Sequence, residues 1–158
     1  MLNPIFPRQF DNVYRGSRIA IVLLAPVLLM KTLIGVNISG LNPWISTRFV
    51  IAKADGVPLD AFSPQAQEIV VFMSASWGLG LLLLCLLTLV ALIRYRAMLP
   101  FAILLLAVEQ VGRKILTAAI LPPGDPFRFG SLINWGFSIA LVIALILSLT
   151  PRRINAAS

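Results

Sequence analysis

The chain has no histidine, a single cysteine and only six acidic residues among 158. Each shortage closes off some chemistry. Without histidine, the chain alone supplies no histidine-ligated haem, no zinc site and no imidazole acid–base pair. Cys85 can form neither an intrachain disulfide nor a CxxC redox couple, and in its apolar run it reads as an inert thiol. No metal, cofactor or catalytic constellation is expected. Charged residues make up 12% of the chain, too few to cover a soluble domain of this length.

What the chain has instead is apolar length. Hydrophobic residues make up 59% of it, and the mean hydropathy is +0.94. Four segments, about 17–39, 69–93, 97–121 and 131–150, can each cross roughly 30 Å of hydrocarbon as a helix. A spanning backbone must satisfy its own hydrogen bonds. The expected fold is therefore all-α: a single membrane domain over 1–158, folded as a four-transmembrane-helix bundle. The polar start is long and no small-x-small cleavage site follows the first apolar run, so that run is expected to remain as a signal anchor.

The net charge of +7 reads as a topology signal and not as a nucleic-acid surface. Arg8, Arg15 and Arg18 precede the first segment, Arg94 and Arg96 separate the second from the third, and Arg152 and Arg153 follow the fourth. Only Arg48, Lys53 and Arg128 fall on the other side. This asymmetry predicts both termini in the cytoplasm; the expected place is multi-pass in the inner (cytoplasmic) membrane.

The outer loop, 40–67, carries its own signals. Asn42-Pro43-Trp44 predicts a capped helix start. The short helix would put Trp44, Ile45, Phe49 and Ala52 near one face, with Arg48 and Lys53 off it. It would either lie on the outer leaflet or simply cap the bundle. Ser63-Pro64 predicts an outward extension of the second long helix. Pro122-Pro123-Gly124-Asp125-Pro126 predicts a sharp outer turn, and the short Arg94–Arg96 link an antiparallel hairpin.

The third segment carries Glu109, Gln110, Arg113 and Lys114 in its interior, and the first carries Lys31. Ionisable groups in hydrocarbon are costly and face a protein interior or a wet cavity. Arg113 and Lys31 each lie about 12 Å below the outer end of their helix, at 1.5 Å per residue, so one polar layer is expected. Asn37, Ser74, Ser76, Trp77, Asn134 and Trp135 fall in the same outer half. Glu109 precedes Arg113 by four residues, the favoured order for an ion pair, and is placed to serve Lys31 across the bundle as well. Gln110 and Lys114 share an adjacent stripe. The candidate cluster is thus Lys31, Trp77, Glu109, Gln110, Arg113, Lys114 and Asn134. It is read either as structural ion pairing or snorkelling, as a ligand site, or as a contact to another subunit.

Ser74 and Gly78, Ser76 and Gly80, and Gly136, Ala140 and Ala144 form small-xxx-small patterns suited to close helix approach, within the bundle or against a partner. Pro26 predicts a kink below Lys31. Trp44, Trp77 and Trp135 suit an outer aromatic belt.

Two of these features resemble the small four-helix bacterial membrane proteins of the DoxX-like kind. They are Ser74-Ala75-Ser76-Trp77-Gly78-Leu79-Gly80 in the second helix and Gly112-Arg113 two-thirds along the third. The resemblance covers helices two to four, and the long first loop with Trp44 departs from it. It implies a fold and no particular activity, and no catalytic residue carries over.

Three functions are compatible with these residues. The first is an accessory or structural subunit of a larger membrane assembly, or a homo-oligomer. The second is a binder or carrier of an anionic amphiphile, such as a phospholipid or isoprenoid phosphate, held by Lys31, Arg113 and Lys114. The third is a membrane enzyme or proton-coupled transporter with Glu109 as its acid–base group. No nucleophile–base pair or metal-ligand spacing accompanies Glu109, so the enzyme reading is the least supported.

Overall fold

In a computed structural model, residues 11–120 and 129–150 are described, together with residues 5 and 7. The architecture is all-helical, with no strand among the described residues. The helices are α1 (Arg18–Ile38), α2 (Thr47–Lys53), α3 (Pro64–Ile93), α4 (Leu99–Ile120) and α5 (Phe129–Leu149). Short 3₁₀ turns at Leu59–Ala61 and Arg96–Met98 lead into α3 and α4. The expected proline-rich turn, Arg8, Arg128, Arg152, Arg153 and the C-terminal tail lie outside the described residues.

Among the described residues, three helices are long and apolar enough to cross a membrane: α1, α3 and the Leu132–Leu149 part of α5. α4 has 22 residues, so it is not short; its interior Glu109, Arg113 and Lys114 set it apart. α1 runs unbroken through Pro26.

The chain forms two compact units, one of Met1–Val27 with Leu86–Ser158, the other Leu28–Cys85. In the first, α4 is the core helix. Its Leu99, Ala102, Ile103, Leu106, Ala107 and Gln110 are buried at helical spacing, and it packs along α5. The segment before α1 closes against the end of α5 through Ser17 N–H donating to Leu147 O at 3.1 Å. Gly16 permits this approach, because a Cβ there would collide with Ser148 O.

In the second unit α1 and α3 cross at two glycines. A Cβ on Gly35 would meet Leu82 Cγ at 2.8 Å, and one on Gly78 would meet Ser39 N at 2.7 Å. Only hydrogen at these positions lets the backbones come this close. Gly40, with φ +77°, turns the chain out of α1. Ser63 starts α3 as expected, its Oγ accepting from Ala66 N–H at 3.4 Å.

The start of the loop helix is corrected. It begins at Thr47, with Ser46 as its cap accepting from Phe49 N–H at 3.2 Å. Asn42 is occupied otherwise. Its Oδ1 accepts from Trp44 N–H at 2.9 Å, a local Asx turn, and its Nδ2 donates to Asn37 Oδ1 at 2.7 Å. Thr47 and Ile51 are buried, while Trp44 and Phe49, two residues of the expected apolar face, are exposed.

Candidate functional site

The polar residues of α4 meet α5 in one network within the first unit. Arg113 is its hub. Its Nε donates to Glu109 Oε1 at 3.3 Å, one turn back on the same helix. A terminal nitrogen donates to Gln110 Oε1 at 3.2 Å and to Asn134 Oδ1 at 3.5 Å. Gln110 is fully buried and faces α5, its Nε2 donating to Asn134 O at 3.1 Å and Asn134 Oδ1 at 3.4 Å. The Asn134 carbonyl also accepts from Ser138 Oγ at 2.9 Å.

This arrangement follows from helical spacing. Positions 109, 110 and 113 are three and four apart and therefore share a face. That face is turned to α5, where burial of an unpaired amide or guanidinium would be costly. Gln110 resolves the problem by offering its oxygen to Arg113 and its NH₂ to Asn134. Arg113 is thereby held by a carboxylate and two amides, which fixes its planar fork.

Lys114, about 100° further round the helix, leaves this network. Its Nζ stands 3.9 Å from the centroid of the Trp135 ring on α5. The indole face is a favourable seat for an ammonium. Among the described residues Lys114 makes no ion pair. Around it the surface is apolar and open: Val111, Ile115 and Leu116 on α4 and Leu132, Trp135 and Ile139 on α5 are all exposed. The Arg113 side chain is 37% exposed against 15% for Glu109, so the cationic side of the cluster is the open side.

Of the residues singled out from sequence, Glu109, Gln110, Arg113 and Asn134 are thus brought into one network, with Lys114 beside it. Lys31 and Trp77 belong to the other unit. Lys31 is buried there, at 2% exposure, and Trp77 is half-buried. Trp135 and Ser138 are the additions. Trp135 falls in the expected outer polar layer and aromatic belt but not in the candidate cluster; its adjacency to Asn134 at the same depth is the signal that it faces Lys114.

Of the small residues, Gly78 sits at the α1–α3 crossing, and Ser74 and Ala140 are half-buried. Among the described residues Gly80 and Gly136 lie at no crossing, since a Cβ at either would meet none of their atoms within 4 Å. Among the described residues no group of three or more acidic or cysteine side chains is placed to hold a metal ion.

No known protein family, curated protein or solved structure matches this chain.

Proposed function

We propose that this is a four-span membrane protein, with the bundle of the DoxX-like proteins it resembles, that holds the anionic head of a membrane amphiphile at the α4–α5 face. Both termini lie in the cytoplasm, on the arginine asymmetry, and α4 is the fourth span, its charges satisfied against α5. The observation that carries the binding reading is the pairing of a fixed Arg113 with Lys114 on the Trp135 ring, both on the open, apolar-rimmed side of the cluster. A phosphate or phosphodiester would lie against the open side of the held guanidinium and the ammonium together. The exposed aliphatic residues beside them suit an acyl or isoprenoid chain. Glu109 and Gln110 act by positioning Arg113.

Native mass spectrometry of the protein released from its own membrane tests this. A retained lipid-sized mass that is lost in Arg113→Leu, with helix content unchanged, is the expected result. Equal retention in wild type and variant would remove the reading. In nanodiscs, phosphatidylglycerol should be retained over phosphatidylcholine.

A second reading, an accessory subunit, is favoured by one observation: Gly80 and Gly136 are small enough for close helix approach and meet nothing among the described residues. It predicts a stoichiometric protein mass in the same spectrum. A stable monomer without a partner counts against it.

A further inference from the structure

We propose that α2 is an interfacial anchor, inserting Phe49 and Trp44 into the headgroup–acyl boundary of the bilayer at the level where α1 ends. The proposal rests on α1 and α3 spanning the membrane, and is independent of the α4–α5 site.

Three observations lead to it, all within the unit Leu28–Cys85. First, α2 is tied to the end of α1: Thr47 Oγ1 donates to Ile38 O at 3.0 Å. The tether fixes α2 at the edge of the apolar span. Second, one stripe of α2 is committed to the fold and the opposite one is not. Thr47 and Ile51 are 7% and 2% exposed. With Thr47 at 0°, Ile51 falls at about 40° and Phe49 at about 200°, so Phe49 stands opposite the packed stripe and is 59% exposed. Trp44, just before the helix, is 89% exposed, and Leu41 63%. Third, the flanks of Phe49 are Arg48 at about 100° and Lys53 at about 240°. A phenyl between two cations suits a headgroup layer better than open water. Arg48 is also steadied, its guanidinium donating to Gln67 Oε1 on α3 at 2.9 Å.

A helix of 7 residues has little stability of its own. One side of α2 is supported by α1; burial of Phe49 and Trp44 in lipid supports the other. Indole prefers this depth, where its ring is buried and its N–H stays wet. Asp55 and Asp60 follow in the same loop, so insertion is driven by the aromatic rings and holds in uncharged lipid.

The test is the depth of Trp44. In Trp77→Phe/Trp135→Phe, reconstituted in phosphatidylcholine vesicles, Trp44 is the sole indole. Its emission should be blue-shifted, quenched by lipid brominated high on the acyl chain, and several-fold less sensitive to iodide than free tryptophan. Emission and iodide quenching like those of free tryptophan would overturn the proposal. So would shielding from iodide without quenching by brominated lipid, since that places Trp44 against protein. A spin label at Phe49→Cys in Cys85→Ala, with all tryptophans kept, gives a second reading. It should be more accessible to oxygen than to a water-soluble nickel complex. A matched label at Leu83→Cys separates the two failures: hydrocarbon there with a wet Phe49 site rejects the anchor alone, whereas water at both sites rejects the span.

Discussion

The ammonium of Lys114 and the indole of Trp135 are 3.9 Å apart, centroid to nitrogen, and join α4 to α5 beside a buried amide network. The pair should be worth about 1 kcal/mol, toward the upper end of the cation–π range if lipid excludes water from it. A double-mutant cycle on Lys114→Met and Trp135→Leu, read by unfolding in mixed micelles, should show coupling of that size. Additive effects would mean that the two side chains are neighbours without interaction. The cycle also bears on ligand binding: Lys114→Met should weaken retention of phosphatidylglycerol, while Trp135→Leu should weaken it less, because the ring only seats the charge.

Gln110 has the opposite character. It is buried and bonded on both ends of its amide, so its removal leaves donors and acceptors stranded on both helices. Gln110→Leu should destabilise the protein by about 1–3 kcal/mol. Glu109→Gln should be milder, because the amide oxygen still accepts from Arg113. If Glu109 is instead an acid–base group, Glu109→Gln abolishes biological activity while leaving stability nearly unchanged, and that result would overturn its assignment as a positioning residue.

The glycines divide by environment. Gly35→Ala and Gly78→Ala drive a methyl into Leu82 or the backbone at Ser39, and each should cost about 1–3 kcal/mol. Gly80→Ala and Gly136→Ala meet open space and should be neutral or stabilising by up to about 1 kcal/mol through helix propensity. Micelle unfolding of the four variants checks the division. A destabilised Gly80→Ala or Gly136→Ala, or a neutral Gly35→Ala, contradicts the crossing described here. If Gly136→Leu folds normally yet loses a co-purifying protein, the accessory-subunit reading gains over the lipid reading.

Much of the fold was legible because apolar length and flanking punctuation are local. α1, α4 and α5 fall close to the expected segments, and α3 starts at Pro64 where Ser63-Pro64 placed its extension. What was not legible depends on competition or on pairing. Asn42 had the residue type of a helix cap, but its side chain reaches Trp44 N–H two residues on, and Ser46 took the capping role. Gly78 was visible as a small residue. Its partner Gly35 was not, because which faces of α1 and α3 meet is a tertiary fact. In the candidate site, Glu109 and Arg113 were readable from their i, i+4 spacing. The seat of Lys114 was not, because its i, i+4 relation to Gln110 does not show that the Trp135 ring of α5 lies beside it.

Tyr14 gives a pH-dependent prediction away from the membrane-spanning segments. Its hydroxyl is buried and makes no hydrogen bond among the described residues. Gly16 leaves it room, since a Cβ there would meet Tyr14 Oη at 2.7 Å. Burial disfavours the phenolate and pushes the pKa of Tyr14 up to about 12. An unfolded tyrosine ionises near 10. Below that value both states hold the proton and Tyr14 contributes no pH dependence. From about 10 to the folded value, the unfolded chain ionises first, so stability falls as pH rises. The difference in phenolate absorbance between wild type and Tyr14→Phe should therefore have its midpoint near 12. Tyr14→Phe loses no hydrogen bond, so it should be at least as stable at neutral pH and should lack this alkaline decline. A midpoint near that of free tyrosine would show instead that water reaches the hydroxyl, and that the segment before α1 is not closed over the end of α5.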